Sequence, residues 1–403
     1  MCNMSSSEKI EILKQKGVCF PSPLCVEIGE EVEPDRIQAE CTIYGGSKIY
    51  GRDTFICRGA QIGYESPATL ENCCVGPDVR LGGGFYKSAV FLKGAKTGPN
   101  AHVREGTILE ESAGIAHCVG LKQTILFPYV TLGSLINFCD CLMAGGTGPK
   151  NHSEVGSSYI HFNFTPLQDK ATPSLLGNVP EGVMLNNEPI FLGGQGGLVG
   201  PCRIAFGTVI AAGTICRRDE TRPGRLIFGA PARQGNISRA ALGPGNVKRV
   251  LFNNIVYIGN LRALFQWYSY IRILFISDDF PKPLFRGACN TLKNALDERF
   301  RRLSEYVDKI RSSGHKNALI DSWETVLSTL ENPEDSSHTS ILGNRFINIM
   351  KEKIESNGYD YLSTIGALSE NEARTGTEWL NLIVRDTCDY AIHMLGPEPG
   401  WEI

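Results

Sequence analysis

Residues 192–216 read LGGQGGLVGPCRIAFGTVIAAGTIC. Leu192, Leu198, Ile204, Ile210 and Cys216 occupy every sixth position, with mostly small residues between them. The same period runs through Val103, Leu109, Ile115 and Leu121, and through Leu126, Leu132 and Phe138. It opens the series at Ile43, Ile49 and Phe55. Six is neither the 3.6 of a helix nor the 2 of an alternating strand. It fits a coil of three short strands, each sending one aliphatic side chain inward to stack on the next coil. A jelly roll or sandwich would not hold that register. Three hexads make a coil of about 18 residues, so 25–228 predicts roughly ten to eleven coils. The period breaks over 163–188, which predicts a loop leaving the coil.

After residue 245 the spacing changes. Leu284, Ala288, Leu292, Leu296, Phe300, Leu303, Val307 and Ile310 recur at three and four, as on one face of a helix. Similar patterns cover 247–276, 318–330, 341–354 and 370–395, and Asn332-Pro333 with 334–338 reads as a loop between them. The predicted organisation is an N-terminal helix and linker (1–24), a parallel β-helix (25–245) and an all-α domain (246–403).

Composition narrows the function. In 403 residues, 42% are hydrophobic and 21% charged, which excludes a mainly disordered chain. A net charge of -3 with no basic run argues against nucleic acid as a partner. The 14 cysteines contain no Cys-x-x-Cys pair, and most stand singly among aliphatic residues. This spacing predicts no metal site and a reducing, cytoplasmic setting. The N-terminus lacks an apolar signal core. The 250–276 stretch is interrupted by Asn253, Asn254, Asn260, Arg262, Gln266 and Arg272, so it reads as a buried helix rather than a membrane span.

Arg104 and Lys122 are 18 residues apart, one coil, and Asp140 is 18 further on. Residues one coil apart stack at about 4.7–4.9 Å. Two cations that close repel unless an anion sits over both or a carboxylate is shared. Phosphate is the natural anion, because Arg presents a fork and Lys a point charge. The alternative is a surface ladder in which Asp140 neutralises Lys122, worth little.

The hexads resemble the left-handed parallel β-helix of the hexapeptide acyltransferase superfamily, and the handedness is taken from that resemblance. Residues 101–109, 121–124 and Asp140 are similar, in order, to the C-terminal acetyltransferase domain of the bifunctional N-acetylglucosamine-1-phosphate uridyltransferase/glucosamine-1-phosphate acetyltransferase. The similarity continues through 155–164, 191–194 and 210–214. It includes 13–32, which resembles the linker into that β-helix, and 229–233, which resembles its exit sequence. About residues 10–230 are covered, and the helical half carries no recognised motif. No nucleotidyltransferase signature accompanies the match, so no pyrophosphorylase activity is expected.

The resemblance implies roles by position. Arg104 and Lys122 match the residues that hold the sugar phosphate. Ser134 falls on the family's general-base His, Asn137 on a sugar-contacting Tyr and Glu154 on a sugar-contacting Asn. On the acyl-donor side Asn163 matches, Phe164 replaces Tyr, Gly194 replaces Ser, and Ala211 and Ala212 lie in the matching hexad. Gly229 sits near a coenzyme A-binding Arg. Serine has no useful pKa near neutrality and cannot replace imidazole as base. A substitute is His152, in a glycine-rich stretch (145–152) about six residues longer than the family pattern, with Glu154 to orient it or act alone. His117 and His161 read as structural.

These readings predict an acyltransferase-like protein that takes a sugar phosphate or nucleotide sugar, with acyl-coenzyme A as donor. The resemblance implies a homotrimer in which the 163–188 loop reaches a neighbour. The alternative is a binding or assembly protein that keeps the phosphate site without catalysis. A zinc carbonic anhydrase of the same fold is the weakest reading, because His102, His117, His152 and His161 lack that family's close pair.

Overall fold

A computed structural model of the protein describes residues 4–165, 168–229, 245–334 and 336–396. Its first half is a parallel β-solenoid of about 11 turns, and a helical region follows. This is the architecture the hexads predict. Three faces recur in each coil. Face I is a ten-stranded parallel sheet running from Thr42–Ile43 to Leu226–Ile227. Face II contains Ala101–Val103 and Ile160–Phe162, and face III contains Ala89–Phe91, Thr107–Leu109 and Ser174–Leu176. The hexad residues point inward and stack, Leu132 on Val155, Leu192 on Ile210 and Val103 on Leu121, and all are buried.

The corners need a left-handed backbone, which most L-residues avoid. Here non-glycine residues supply many of them. Ser112 and Tyr129 turn face III into face I (φ 58° and 68°), Cys118 and Leu135 turn face I into face II (57° and 60°), and Gln123 and Asp140 turn face II into face III (51° and 59°). At these last two corners the strands Gly120–Leu126 and Asn137–Met143 pair continuously around the bend.

The N-terminal end is covered by α1 (Ser6–Lys16), which starts with a Ser5/Glu8 capping box. Its Lys9 is buried and donates to the carbonyls of Gly29, Glu30 and Val32 at 2.8, 2.6 and 2.9 Å. The 163–188 excursion is smaller than predicted. Ser174–Leu176 rejoins face III, pairing with Cys141–Met143, because Leu175 and Leu176 can fill the core there. A short helix, α2 (Val179–Gly182), follows and packs against the helical half of the same chain.

That half comprises α3 (Val247–Tyr270), α4 (Lys282–Ser312), α5 (Ala318–Asp321), α6 (Trp323–Glu331), α7 (Ser337–Asn357), α8 (Tyr361–Gly366) and α9 (Glu370–Leu395). α3 packs against α4 and α9 and is buried for most of its length, so its polar residues find partners inside. Asn260 Oδ1 accepts from the Val179 amide at 2.9 Å, and Asn254 Nδ2 donates to the Ala171 carbonyl at 2.9 Å. No helix among the described residues is long and apolar enough to cross a membrane. Of the predicted exit sequence, residues 230–233 lie outside the described residues.

α4 lies along face III. Gly287 meets Cys74 so closely that a Cβ would overlap the Cys74 sulfur. Twelve residues later, about 18 Å along the helix axis, Arg299 reaches Asp140. Four coils separate Cys74 from the Asp140 level, about 19 Å at the strand spacing. The helix rise and coil rise match, so one helix reaches from the Cys74 turn to the Asp140 turn, four coils on. Two further ties fix the halves: Tyr268 donates to Glu110 at 2.6 Å, and buried Arg272 pairs with Glu111.

Candidate functional site

Arg104 and Lys122 project outward from face II in adjacent coils, as the register Val103–Leu121 requires. The next coil is shorter. Leu121 to Leu126 spans five residues instead of six, so Lys122 pairs with Cys139 and Asp140 falls on the corner beyond. The expected Arg104–Lys122–Asp140 stack is therefore corrected. Lys122 is neutralised by Glu105, one coil below, at 2.6 Å. Burial pushes the Glu105 carboxyl up, but the Lys122 ammonium and its own backbone outweigh it, and the group is held below the usual carboxylate range. Among the described residues Arg104 forms no ion pair with a carboxylate, and its guanidinium lies beside the Cys139 thiol, which burial pushes up to about 11.

Asp140 serves a different purpose. It is 7% exposed and accepts from Arg299 Nη2 of α4 and from Asn163 Nδ2, both at 2.7 Å. The donation from Nδ2 leaves the Asn163 amide oxygen pointing away from the carboxylate. Asn163, Phe164, Arg104 and Lys122 line a pocket of 230 Å³ between face II and α4. Glu298 and Arg302 of α4 line it too, with Lys170 of the 163–188 excursion. Sequence reasoning predicted the helix α4 but missed its part in the site. The signal was present in one place: Arg299 stands three residues after Leu296 and four before Leu303, a cation within an apolar stripe.

At the leading edge of face II, Ser134 Oγ and His117 Nδ1 are hydrogen-bonded at 2.8 Å, and both are accessible. The Ser157 hydroxyl accepts from the Ser134 amide at 3.1 Å, which fixes the corner. Arg104 and Asn137 line a shallow depression on this face, between exposed Leu135 and Ile160. His117 lies at the corner that enters face II, just before the strand that carries Lys122. His152 sits on a hairpin of Gly146–Gly148 with Asn151–His152, at the corner from face III to face I. Glu154 projects from face I, between Thr131 and Phe191. The structure does not bring either to Arg104 and Lys122. His161 takes an inward position of face II, bonded to the Cys139 carbonyl and to Ser174 Oγ, and burial pushes its pKa down to about 4.

The donor-side residues are divided. Asn163 and Phe164 follow the face II strand Ile160–Phe162, and Phe164 is 69% exposed. Gly194, Ala211 and Ala212 lie at the opposite edge, where face I turns into face II. There Gly156 packs on Gly194 and Gly193 on Ala212, with no room for a Cβ at either glycine.

No protein-family model matches the chain. Individual proteins do match over the first half of the chain. The chain resembles the acetyltransferase domain of bifunctional GlmU. It is 27% identical to the bifunctional protein GlmU of Thermotoga petrophila over 212 residues, 52% of this chain and 42% of that protein. GlmU of Pelobacter propionicus is 26% identical over 201 residues, 49% and 38% respectively. GlmU of Pseudomonas fluorescens is 30% identical over 149 residues, 37% and 28%. The matches thus span less than half the length of these GlmU proteins.

Proposed function

We propose that this protein is an acyltransferase-like enzyme that binds a sugar phosphate or nucleotide sugar on face II and acylates it from acyl-coenzyme A. The observation that carries the reading is the placement of Arg104 and Lys122 in adjacent coils on the face whose leading edge holds the His117–Ser134 hydrogen bond. The phosphate lies over the two cations and displaces Glu105 from Lys122. His117, rather than His152, is the proton acceptor: Ser134 stands where the resemblance places a histidine, and His117 is its hydrogen-bond partner. An acceptor amine or hydroxyl attacks the thioester carbonyl and gives its proton to the imidazole. The new N–C or O–C bond forms, the C–S bond breaks, and the proton returns to the coenzyme A thiolate. Asn163 and Gly194 flank opposite edges of face II, so a donor site using both is completed by a second copy, in keeping with the homotrimer that the resemblance implies. The free thiols among the described residues fit a cytoplasmic setting.

Titration calorimetry with coenzyme A and with glucosamine 1-phosphate, separately, tests this reading. Binding of both, with acyl transfer that falls about 10²–10⁴-fold in His117→Gln, supports the enzyme. Binding of the sugar phosphate alone, with no transfer, would support the second reading. That reading is a sugar-phosphate-binding protein, and the observation favouring it is Ser134 at the base position.

A further inference from the structure

The pocket between face II and α4 is lined by cations from separate elements. Arg104 and Lys122 come from the solenoid face, Arg302 from α4 and Lys170 from the 163–188 excursion. Two carboxylates also line it, but each is already committed. Asp140 is held by Arg299, and Glu298 accepts from Arg301 at 3.0 and 2.5 Å as well as from Arg302 at 2.8 Å. Without a ligand, Glu105 balances Lys122, and Glu298 and Glu305 balance Arg302. Glu105 and Glu305 are the more exposed of these acids, and an incoming anion can replace them. Arg302 uses its Nε and Nη1 for those two glutamates. Among the described residues its Nη2 makes no bond, and the side chain lines the pocket.

A single phosphate over the stacked Arg104 and Lys122 leaves Lys170, which forms no ion pair among the described residues, and the open Nη2 edge of Arg302 unused. Two adjacent anionic groups engage all four lining cations. We infer that the pocket takes a diphosphate, as in a nucleoside diphosphate sugar, with Arg302 of α4 as a direct ligand of the second phosphate. This rests on the phosphate role proposed for Arg104 and Lys122, and it gives the helical half a part in the site. α4 is held in place by the buried Arg299–Asp140 pair, so Arg302 is presented from a fixed helix. Arg suits the role because its planar fork can keep a glutamate on one edge and offer the other to phosphate.

The test uses the full chain at pH 7.5 and compares inorganic pyrophosphate with inorganic phosphate by titration calorimetry. Wild type is expected to bind pyrophosphate at least about tenfold more tightly than phosphate, the value of one added charge-assisted contact. Arg302→Gln should erase that preference and leave phosphate binding nearly unchanged, with Arg302→Lys retaining part of it. Arg104→Gln should weaken both ligands. Equal affinity of wild type for the two anions overturns the diphosphate assignment, and a preference that survives in Arg302→Gln overturns the role of Arg302. Either leaves the phosphate reading standing. Unaltered binding of both anions in Arg104→Gln would instead remove the phosphate site itself. Melting temperatures of all variants separate loss of ligand from loss of fold.

Discussion

Arg299 in the helical half and Asp140 at a solenoid corner form an ion pair of 2.7 Å in which neither side chain is more than 9% exposed. Both charges have left water, so the pair is compensated only while both members are present. Asp140 also holds Asn163, which connects the docking of α4 to the edge of the candidate site.

Removing the arginine leaves a buried carboxylate with the Asn163 amide as its remaining side-chain partner. Arg299→Ala is expected to destabilise the protein by about 3–5 kcal/mol, read from the urea midpoint at constant slope. Arg299→Met combined with Asp140→Leu should recover most of that loss, because an apolar pair of similar volume avoids the desolvation cost. A double variant no better than the single one would show that the asparagine contact matters more than the ion pair.

The second tie between the halves titrates. Glu110 is buried beside Glu111, and burial followed by that neighbour pushes its pKa up to about 7. In the unfolded chain the carboxyl ionises near 4.5, so between those values the folded protein binds a proton that the unfolded chain has lost. Stability must therefore fall as pH rises from about 4.5 through 7. Glu110→Gln keeps an acceptor for the Tyr268 hydroxyl and should flatten this slope. Chemical denaturation at pH 5, 6, 7 and 8 would reveal an unchanged slope if Glu110 were not the source.

Gly287 lets α4 lie on face III, where a Cβ would strike Cys74. Gly287→Val should cost about 1–3 kcal/mol through overpacking, more than the better strand and helix propensity of valine could offset. Burial pushes the Cys74 thiol up to about 11. Alkylation of Cys74 by iodoacetamide should thus be slow in wild type and faster in the variant. Equal rates would mean that α4 does not seal this surface.

Arg104 lacks a carboxylate partner among the described residues, so its loss should be felt by the ligand and not by the fold. Arg104→Ala is expected to weaken sugar-phosphate binding by about 1.5–3 kcal/mol while stability changes by less than about 0.5 kcal/mol. A large drop in melting temperature without ligand would assign Arg104 to structure instead.

The hexads alone determined the solenoid, because one inward aliphatic residue per face is a local condition that every coil must satisfy. The three-and-four spacing likewise determined the helices, with 370–395 legible to the residue. Arg104 and Lys122 were legible for the same reason: their stacking depends on one intact coil. Asp140 was not, since a five-residue step at Leu121–Leu126 shifted the register by one and turned the side chain around a corner. Only tertiary structure could decide which face α4 covers. That choice depends on matching helix rise to coil rise over four coils, on a glycine at Cys74 and on a buried cation meeting a buried carboxylate. It brought Arg299 to Asp140 and Arg302 to the pocket across more than 150 residues, a separation over which sequence spacing carries no geometric information.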